Sequence, residues 1–213
     1  MSMSIDGKIA TKRRGPIKFT SQADSRRMAE IRADQDMVIN GAATFRAFPF
    51  PLHVKGADLI ARRLGEGLPE QPVSAVVSSK ADIPRRTAWE RAKTERWLFC
   101  GKKSPAKTVA SLQDSGIFVV KSRLERPSPK EVLAACKRAG KNRLLLEGGG
   151  EFNASFLELG LVDQIHLTVA PILIGGKESP TWCEGRGLTH FAHFRLESCE
   201  NVGGELYLTY LRA

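Results

Sequence analysis

The sequence predicts an α/β protein of three layers (αβα), with helices on both faces of a mixed sheet that is mostly parallel and ends in antiparallel strands. Two observations support this fold class. Up to residue 160, short apolar runs bounded by turn residues alternate with helical segments, a pattern typical of parallel strands covered on both faces. Beyond residue 160 the helical segments stop, and strand-like segments follow one another with glycine-containing turns.

Each predicted parallel strand is a continuous apolar run. These runs cover residues 37–39, 75–77, 97–99, 117–120 and 144–146. The C-terminal strands are expected within residues 164–176, 189–199 and 204–213. No repeat, low-complexity tract or linker interrupts the pattern, so we expect a single domain over residues 1–213.

The helices have recognisable start and stop signals. Ser128, Pro129 and Glu131 form an N-cap, a first-turn proline and a capping-box acid, and Gly140 ends the helix that they begin. A second helix is expected from near Ser21, and a third after the glycines that follow Glu147. Within the irregular stretch 48–72, residues 57–64 fit a short amphipathic helix.

The charge is the one unusual feature of the composition. The 213 residues contain 33 Lys and Arg against 23 Asp and Glu, which gives a formal net charge of +10. Such an excess suits nucleic acid, an anionic membrane surface or a phosphorylated small molecule. No apolar run approaches the roughly 20 residues of a membrane helix, and the N-terminus lacks a secretory signal, so we expect no membrane partner and a cytoplasmic location.

Metal binding is not predicted. The four cysteines are widely spaced and form no C-x-x-C pair. His190 and His193 lie three apart, and on a strand such positions point to opposite faces, so they do not easily share an ion.

The strongest local motif is an apolar strand, an acid and a glycine run. Residues 144–146 are followed by Glu147, Gly148, Gly149 and Gly150, and then by a predicted helix. Glycines let backbone N–H groups approach a ligand, and a helix N-terminus favours an anion such as a pyrophosphate. The alternative is a strand-to-helix turn without a ligand, because the motif is neither a Walker loop nor a G-x-G-x-x-G fingerprint.

Two further turns follow predicted strands of the same sheet. Carboxyl ends of parallel strands share one edge, where α/β sheets bind ligands, so a dinucleotide is plausible there. Hydroxyls and cations after the strand at 75–77, with Arg85 and Arg86 nearby, suit an extra phosphate on the adenosine ribose, which favours NADPH over NADH. The turn residues are Gly41, Ala42 and Thr44 in one case and Ser78, Ser79 and Lys80 in the other.

Seven short motifs occur in one order along the chain. They are Ser-Ile-Asp-Gly-Lys-Ile-Ala at 4–10, Phe-Thr-Ser at 19–21, Ile-Arg-Ala at 31–33, Gly-Ala-Ala-Thr at 41–44, Leu-Glu-Gly-Gly at 146–149, Gly-Leu-Val-Asp at 160–163 and Ala-Pro-Ile-Leu-Ile-Gly-Gly at 170–176. This series resembles the reductase domain of RibD-type riboflavin-biosynthesis enzymes and the stand-alone archaeal diaminopyrimidine reductases. The resemblance implies a dihydrofolate-reductase-like fold, NADPH as hydride donor, a phosphorylated ribosylaminopyrimidine as substrate, and a homodimer built partly from the C-terminal strands.

The resemblance, together with the turns described above, assigns roles to individual residues. Lys8 and Glu147 are the candidate catalytic residues, for proton handling and polarisation. Arg32 is expected to anchor the substrate phosphate. The expected cofactor contacts are Gly41, Ala42, Thr44, Ser78, Ser79, Lys80, Gly148, Gly149, Gly150 and Glu151. The expected substrate contacts are Asp6, Thr20, Ser21, Arg32, Phe48 and Lys55.

One stretch departs from the family pattern. Family members usually continue the Gly-x-x-Thr turn with two aspartates and an arginine, whereas this chain has Phe48, Pro49 and Lys55 in that stretch. An aromatic ring suits stacking on a planar ligand. A dihydrofolate or pterin substrate on the same fold therefore stays open as an alternative. A more distant alternative is a basic nucleic-acid-binding protein on a degenerate reductase scaffold, although the basic residues form no concentrated nucleic-acid motif.

Overall fold

The computed structural model describes residues 1–13, 15 and 19–213, which form two compact units. We call Arg26–Glu147 the parallel unit, and Met1–Ser25 with Gly148–Ala213 the antiparallel unit. The single domain over residues 1–213 stays a prediction. The elements in chain order are β1 (Ser2–Ser4), α1 (Gln22–Ala33), β2 (Met37–Gly41), α2 (Ala42–Ala47), α3 (Ala57–Gly65), β3 (Val73–Ser78), β4 (Arg96–Cys100), α4 (Ala106–Asp114), β5 (Phe118–Lys121), α5 (Pro129–Arg138), β6 (Leu144–Leu146), α6 (Gly150–Glu158), β7 (Gln164–Ala170), β8 (Phe194–Val202) and β9 (Glu205–Arg212).

The parallel unit is built on a five-stranded sheet in the order β5-β4-β3-β2-β6, in which every neighbouring pair is parallel. All five residues of β2 are buried, as its continuous apolar run predicts. One cluster of the core contains Phe45 and Trp89, whose ring centroids lie 5.0 Å apart, and the Trp89 indole donates to the Ser74 hydroxyl at 2.9 Å. The predicted strands of this sheet are therefore confirmed.

The helical signals of this unit are also confirmed. Ser128 and Glu131 form the predicted capping box at the start of α5. The short helix expected at 57–64 is α3. The helix α4 was not predicted.

The antiparallel unit has a four-stranded sheet of its own, in the order β1-β7-β9-β8. Strands β7, β9 and β8 pair antiparallel, while β1 pairs parallel with β7. The predicted α/β fold, with a mostly parallel sheet and antiparallel C-terminal strands, is confirmed, but these strands form a second sheet where one continuous mixed sheet was expected. The reason is that the N-terminal strand β1, which the apolar pattern did not assign, supplies the second partner of β7.

Among the residues described, no helix is long and apolar enough to cross a bilayer.

Candidate functional site

Predicted turn residues lie at the carboxyl edge of the parallel sheet. Gly41 ends β2 and is the N-cap of α2, where no side chain caps the helix. Ser78 ends β3, and Lys80 after it is exposed. Because the carboxyl ends of parallel strands lie at the same edge of a sheet, these turns lie together at that edge, where open α/β sheets bind ligands.

The Ser79 turn is held by a glycine that sequence analysis missed. The Ser79 carbonyl accepts from the N–H of Gly101 at 3.1 Å and from the Ser104 hydroxyl at 3.2 Å. A Cβ atom at Gly101 would lie 1.9 Å from the Glu125 carbonyl oxygen, so only glycine fits. The available signal was a glycine directly after an apolar strand run.

Arg85, which was expected to offer a free cation near this turn, is engaged elsewhere. Its guanidinium donates to the Glu90 carboxylate at 2.7 and 2.9 Å and to the Ser111 hydroxyl at 3.1 Å. Its charge is therefore largely balanced within the unit.

Glu147 is held in a bidentate ion pair. Its two oxygens accept from Arg32 Nε at 2.6 Å and Arg32 Nη2 at 2.7 Å, and the side chains of Arg32 and Glu147 are only 17% and 10% exposed. The remaining guanidinium nitrogen donates to the His53 carbonyl at 3.2 Å, and the Glu147 N–H donates to the Ile39 carbonyl. Two parallel hydrogen bonds fix both the position and the plane of the carboxylate.

The ion pair with Glu147 also determines the pKa of Arg32 and the role that its guanidinium can take. Burial acts to lower the pKa of Arg32, but the charge and hydrogen bonds of Glu147 outweigh it and the pKa is raised. Because all three nitrogens of the guanidinium have partners, the geometry favours Arg32 as the group that orients Glu147 over Arg32 as a free anchor for a phosphate.

Two of the three residues that depart from the family pattern, Phe48 and Lys55, are exposed, while Pro49 is partly buried. Phe48 follows α2, and its N–H donates to the Thr44 carbonyl at 2.9 Å while its ring is open to solvent. Lys55 is also exposed. The parallel unit thus presents an aromatic surface and a cation, and their contact with substrate stays a prediction.

In the antiparallel unit, the N-terminus of α6 offers unpaired donors. Gly149 is the N-cap without a side-chain cap, and its carbonyl accepts from the N–H of Asn153. Within the described part of the chain, no group accepts from the N–H groups of Gly150, Glu151 or Phe152. Gly148 has a φ of +89°, which favours glycine. This arrangement fits an anion.

Asp6 and Lys8 are tied to two later segments of the same unit. The Asp6 carboxylate accepts from the Ser4 hydroxyl at 2.6 Å, from the Ile174 N–H at 3.1 Å and from the Gly175 N–H at 2.8 Å. The Ser4 hydrogen bond is the largest of the effects that lower the pKa of Asp6 to about 2. Lys8 Nζ donates to the Ser179 carbonyl at 3.1 Å. Asp6 therefore joins the motifs at 4–10 and 170–176.

Ser21, an expected substrate contact, is occupied by the protein itself. Its hydroxyl accepts from the Asp24 N–H at 3.1 Å, which caps α1, and donates to the buried Glu205 at 2.6 Å. Glu205 also accepts from the Ser21 N–H and the Tyr207 hydroxyl. The geometry favours a structural role for Ser21, while Thr20 beside it is partly buried and its role stays a prediction.

Among the described residues, no group of three or more His, Cys, Asp and Glu side chains is arranged to hold a metal ion.

The fold places the chain in the dihydrofolate-reductase-like class. A dihydrofolate reductase of Enterococcus faecalis matches with a TM-score of 0.50 at 14% identity, over 99% of this chain and 92% of that one. A pyrimidine reductase-like protein of Corynebacterium diphtheriae matches with a TM-score of 0.82 at 20% identity, over 100% and 89%. A family model described as the RibD C-terminal domain matches residues 1–208. The chain belongs to the RibD C-terminal domain family.

Two named relatives match nearly the whole of this chain. The chain is 29% identical over 203 residues to the 2,5-diamino-6-ribosylamino-4(3H)-pyrimidinone 5′-phosphate reductase of Archaeoglobus fulgidus, which covers 95% of this chain and 91% of the relative. It is 26% identical over 210 residues to the riboflavin biosynthesis protein RibD of Bacillus amyloliquefaciens, covering 97% of this chain and 54% of that protein. The chain therefore spans about half the length of such RibD relatives.

Proposed function

We propose that this protein is an NADPH-dependent reductase that converts the ribosylamino group of a pyrimidine 5′-phosphate into a ribitylamino group, as a step of riboflavin biosynthesis. The substrate is 5-amino-6-(5-phosphoribosylamino)uracil or the related diaminopyrimidine. The observation that carries the proposal is Glu147, which Arg32 orients at the end of β6 and which is followed directly along the chain by the unpaired N–H groups of α6. The names of the relatives support the substrate class.

The residues present fit a dinucleotide phosphate. The N–H groups of α6 suit a pyrophosphate, and the turns after β2 and β3 supply backbone donors, hydroxyls and Lys80. When bound, NADPH supplies a hydride. In the parallel unit the residues proposed to hold it are Gly41, Ala42, Thr44, Ser78, Ser79 and Lys80, and in the antiparallel unit they are Gly148, Gly149, Gly150 and Glu151.

The chain's own residues orient the substrate and manage protons. Opening of the ribose ring produces an imine at the anomeric carbon, and its reduction adds a hydride to that carbon and a proton to the nitrogen. Glu147 is held as an acceptor for a substrate N–H or O–H, because Arg32 fixes its plane. Lys8 is proposed to supply a proton through its ammonium group. No residue acts as a nucleophile.

A direct assay tests this proposal against the pterin alternative, which the exposed ring of Phe48 favours. Purified protein is mixed with NADPH and either the ribosylaminopyrimidine phosphate or dihydrofolate, and NADPH oxidation is followed. We expect turnover with the first substrate only, and greater thermal stabilisation by NADPH than by NADH. Turnover with dihydrofolate alone would reject the proposed substrate, and stabilisation by neither nucleotide would reject the proposed cofactor.

We also propose a homodimer built partly from the C-terminal strands. Strand β8 is one of the two edge strands of its sheet, and most of its residues are exposed, including Leu196. Edge strands present unpaired backbone groups to a partner. Light scattering should give twice the chain mass.

Salt-sensitive binding to nucleic acid without NADPH binding would instead favour the alternative of a nucleic-acid-binding protein on a degenerate reductase scaffold.

A further inference from the structure

A loop of the antiparallel unit holds Lys8 from one side. We call it the 179–184 loop after its residues. Lys8 Nζ donates to the Ser179 carbonyl at 3.1 Å, and the Ile9 N–H donates to the Pro180 carbonyl at 2.9 Å. Lys8 also pairs with Thr181 in an isolated antiparallel bridge. Both the backbone and the ammonium group of the Lys8 segment therefore depend on the position of this loop.

The same loop is attached on its other side to the start of α6. The Asn153 side-chain amide donates to the Trp182 carbonyl at 2.8 Å, and the Glu184 N–H donates to the Gly150 carbonyl at 3.1 Å. A Cβ atom at Gly150 would lie 2.5 Å from the Thr181 carbonyl oxygen. The loop therefore packs directly against the helix end that is proposed to bind the cofactor.

Asn153 makes the side-chain hydrogen bond of this attachment. It is only 7% exposed, and its Oδ1 atom is buried without a hydrogen-bond partner. A buried acceptor without a partner is costly, so an apolar residue of the same size would suit this position better if packing alone mattered. What the amide supplies, and an apolar side chain would not, is the N–H donor of the hydrogen bond to the Trp182 carbonyl.

We propose that Asn153 is a positioning residue that acts through the 179–184 loop on Lys8, and so links the helix end of the cofactor site to the ammonium group. The link itself is a property of the antiparallel unit. Its importance for catalysis rests on the proposed function, in which Lys8 supplies a proton.

The test exploits the isosteric variant Asn153→Asp. Its carboxylate repels the Trp182 carbonyl, but its protonated form supplies an O–H donor in place of the amide. Burial raises the pKa of an aspartate, so the donor returns as the pH falls. The probe is hydrogen exchange at the Ile9 amide by mass spectrometry, divided by the wild-type rate at the same pH. Dividing by the wild-type rate removes the effect that titration of other nearby side chains has on exchange, because all variants share them. These side chains are Lys8, Glu151, Cys183 and Glu184.

We expect the Ile9 exchange ratio of Asn153→Asp to rise about tenfold at pH 8 and to return to within about twofold of one at pH 5. Asn153→Leu keeps the volume without any donor, and its ratio should be raised at both pH values. Asn201→Asp, near the end of β8, is the matched control and should leave the ratio at one at both pH values. A wild-type ratio in Asn153→Leu, or a rise spread equally over all amides of the unit, would overturn the link.

A kinetic arm separates the link from the proposed function. In Asn153→Asp we expect kcat for the ribosylaminopyrimidine phosphate to fall about tenfold at pH 8 and to recover at pH 5, relative to wild type, while KM changes less than about twofold. If the exchange ratio follows pH and kcat does not, the link holds and the role of Lys8 in the proposed function fails. If kcat follows pH and the exchange ratio does not, the link is wrong.

Discussion

Two arginines of the parallel unit, the partly buried Arg32 and the buried Arg63, hold their charges in different ways. Arg32 donates to both oxygens of Glu147, whereas Arg63, only 1% exposed, donates to the backbone carbonyls of Ala33, Gln35 and Pro69. The pKa of Arg32 is raised, while burial, aided by the charge of Arg143, lowers that of Arg63. The difference shows that burial alone does not indicate function. Arg32 orients Glu147, the side chain that is proposed to contact the substrate, and Arg63 ties the end of α1 to the chain after α3.

Of the changes that test this difference, replacing the Glu147 carboxylate, which pairs with Arg32, is expected to have the largest effect. Glu147→Gln keeps the shape but removes the charge that Arg32 orients. We expect kcat/KM for the ribosylaminopyrimidine phosphate to fall about 10³-fold, with the dissociation constant of NADPH little changed, because the loss concerns proton handling and polarisation. Steady-state kinetics and NADPH titration check this. Glu66→Gln, at the exposed end of α3, is the control, and an equal loss in both variants would contradict the role of Glu147.

Arg63 is tested by its removal, with the neighbouring Arg62 as the control. Arg63→Met leaves three backbone carbonyls without their donor, so we expect the free energy of unfolding to fall by about 3 kcal/mol. Arg62 forms an exposed pair with Asp34 at 2.7 Å, and Arg62→Met should cost less than about 1 kcal/mol. Urea unfolding of both variants measures the difference. Equal losses would mean that the buried hydrogen bonds of Arg63 add nothing to stability.

Asp6 extends the comparison to a carboxylate that is held by neutral donors. Its folded-state pKa of about 2 lies below its ordinary value of 3.8. The ionised Asp6 carboxylate therefore stabilises the folded protein fully above about pH 4, and this stabilisation is lost as the pH falls towards 2. We expect the melting temperature of wild type to exceed that of Asp6→Asn at pH 7, with a gap that narrows between pH 4 and pH 2. A gap independent of pH would show that the ionised carboxylate is not what holds the loop at 174–175.

The parallel unit was largely predictable because its signals are local. A continuous apolar run indicates a strand buried on both faces, which identified all five strands, and the capping box at Ser128 identified α5. Glu147 and the glycines after it were found in the same way. The ion pair was not, because Arg32 lies 115 residues from its partner, and α4 was missed because its first turn contains no acid or side-chain cap.

The antiparallel unit was less predictable because its contacts join distant segments. Strand β1 is only three residues long and gains its sheet position from β7, far along the chain. The hydrogen bond from Ser21 to Glu205 spans 184 residues, so the sequence did not show that Ser21 has a partner within the protein, and its contact with substrate stays a prediction. Which polar groups satisfy one another is decided by the folded chain, and a single sequence does not show such pairings.

The proposed function depends on the delivery of hydride to the anomeric carbon of a ribosylaminopyrimidine phosphate, and isotope transfer measures this step. NADPH carrying deuterium at C4 of the nicotinamide ring, in stereochemically defined forms, is incubated with the protein and this substrate, and the product is analysed by mass spectrometry and NMR. We predict one deuterium at C1 of the ribityl chain from one of the two forms, with one NADPH consumed per product. A product without deuterium from either form, or no NADPH oxidation with this substrate, would reject the proposed function.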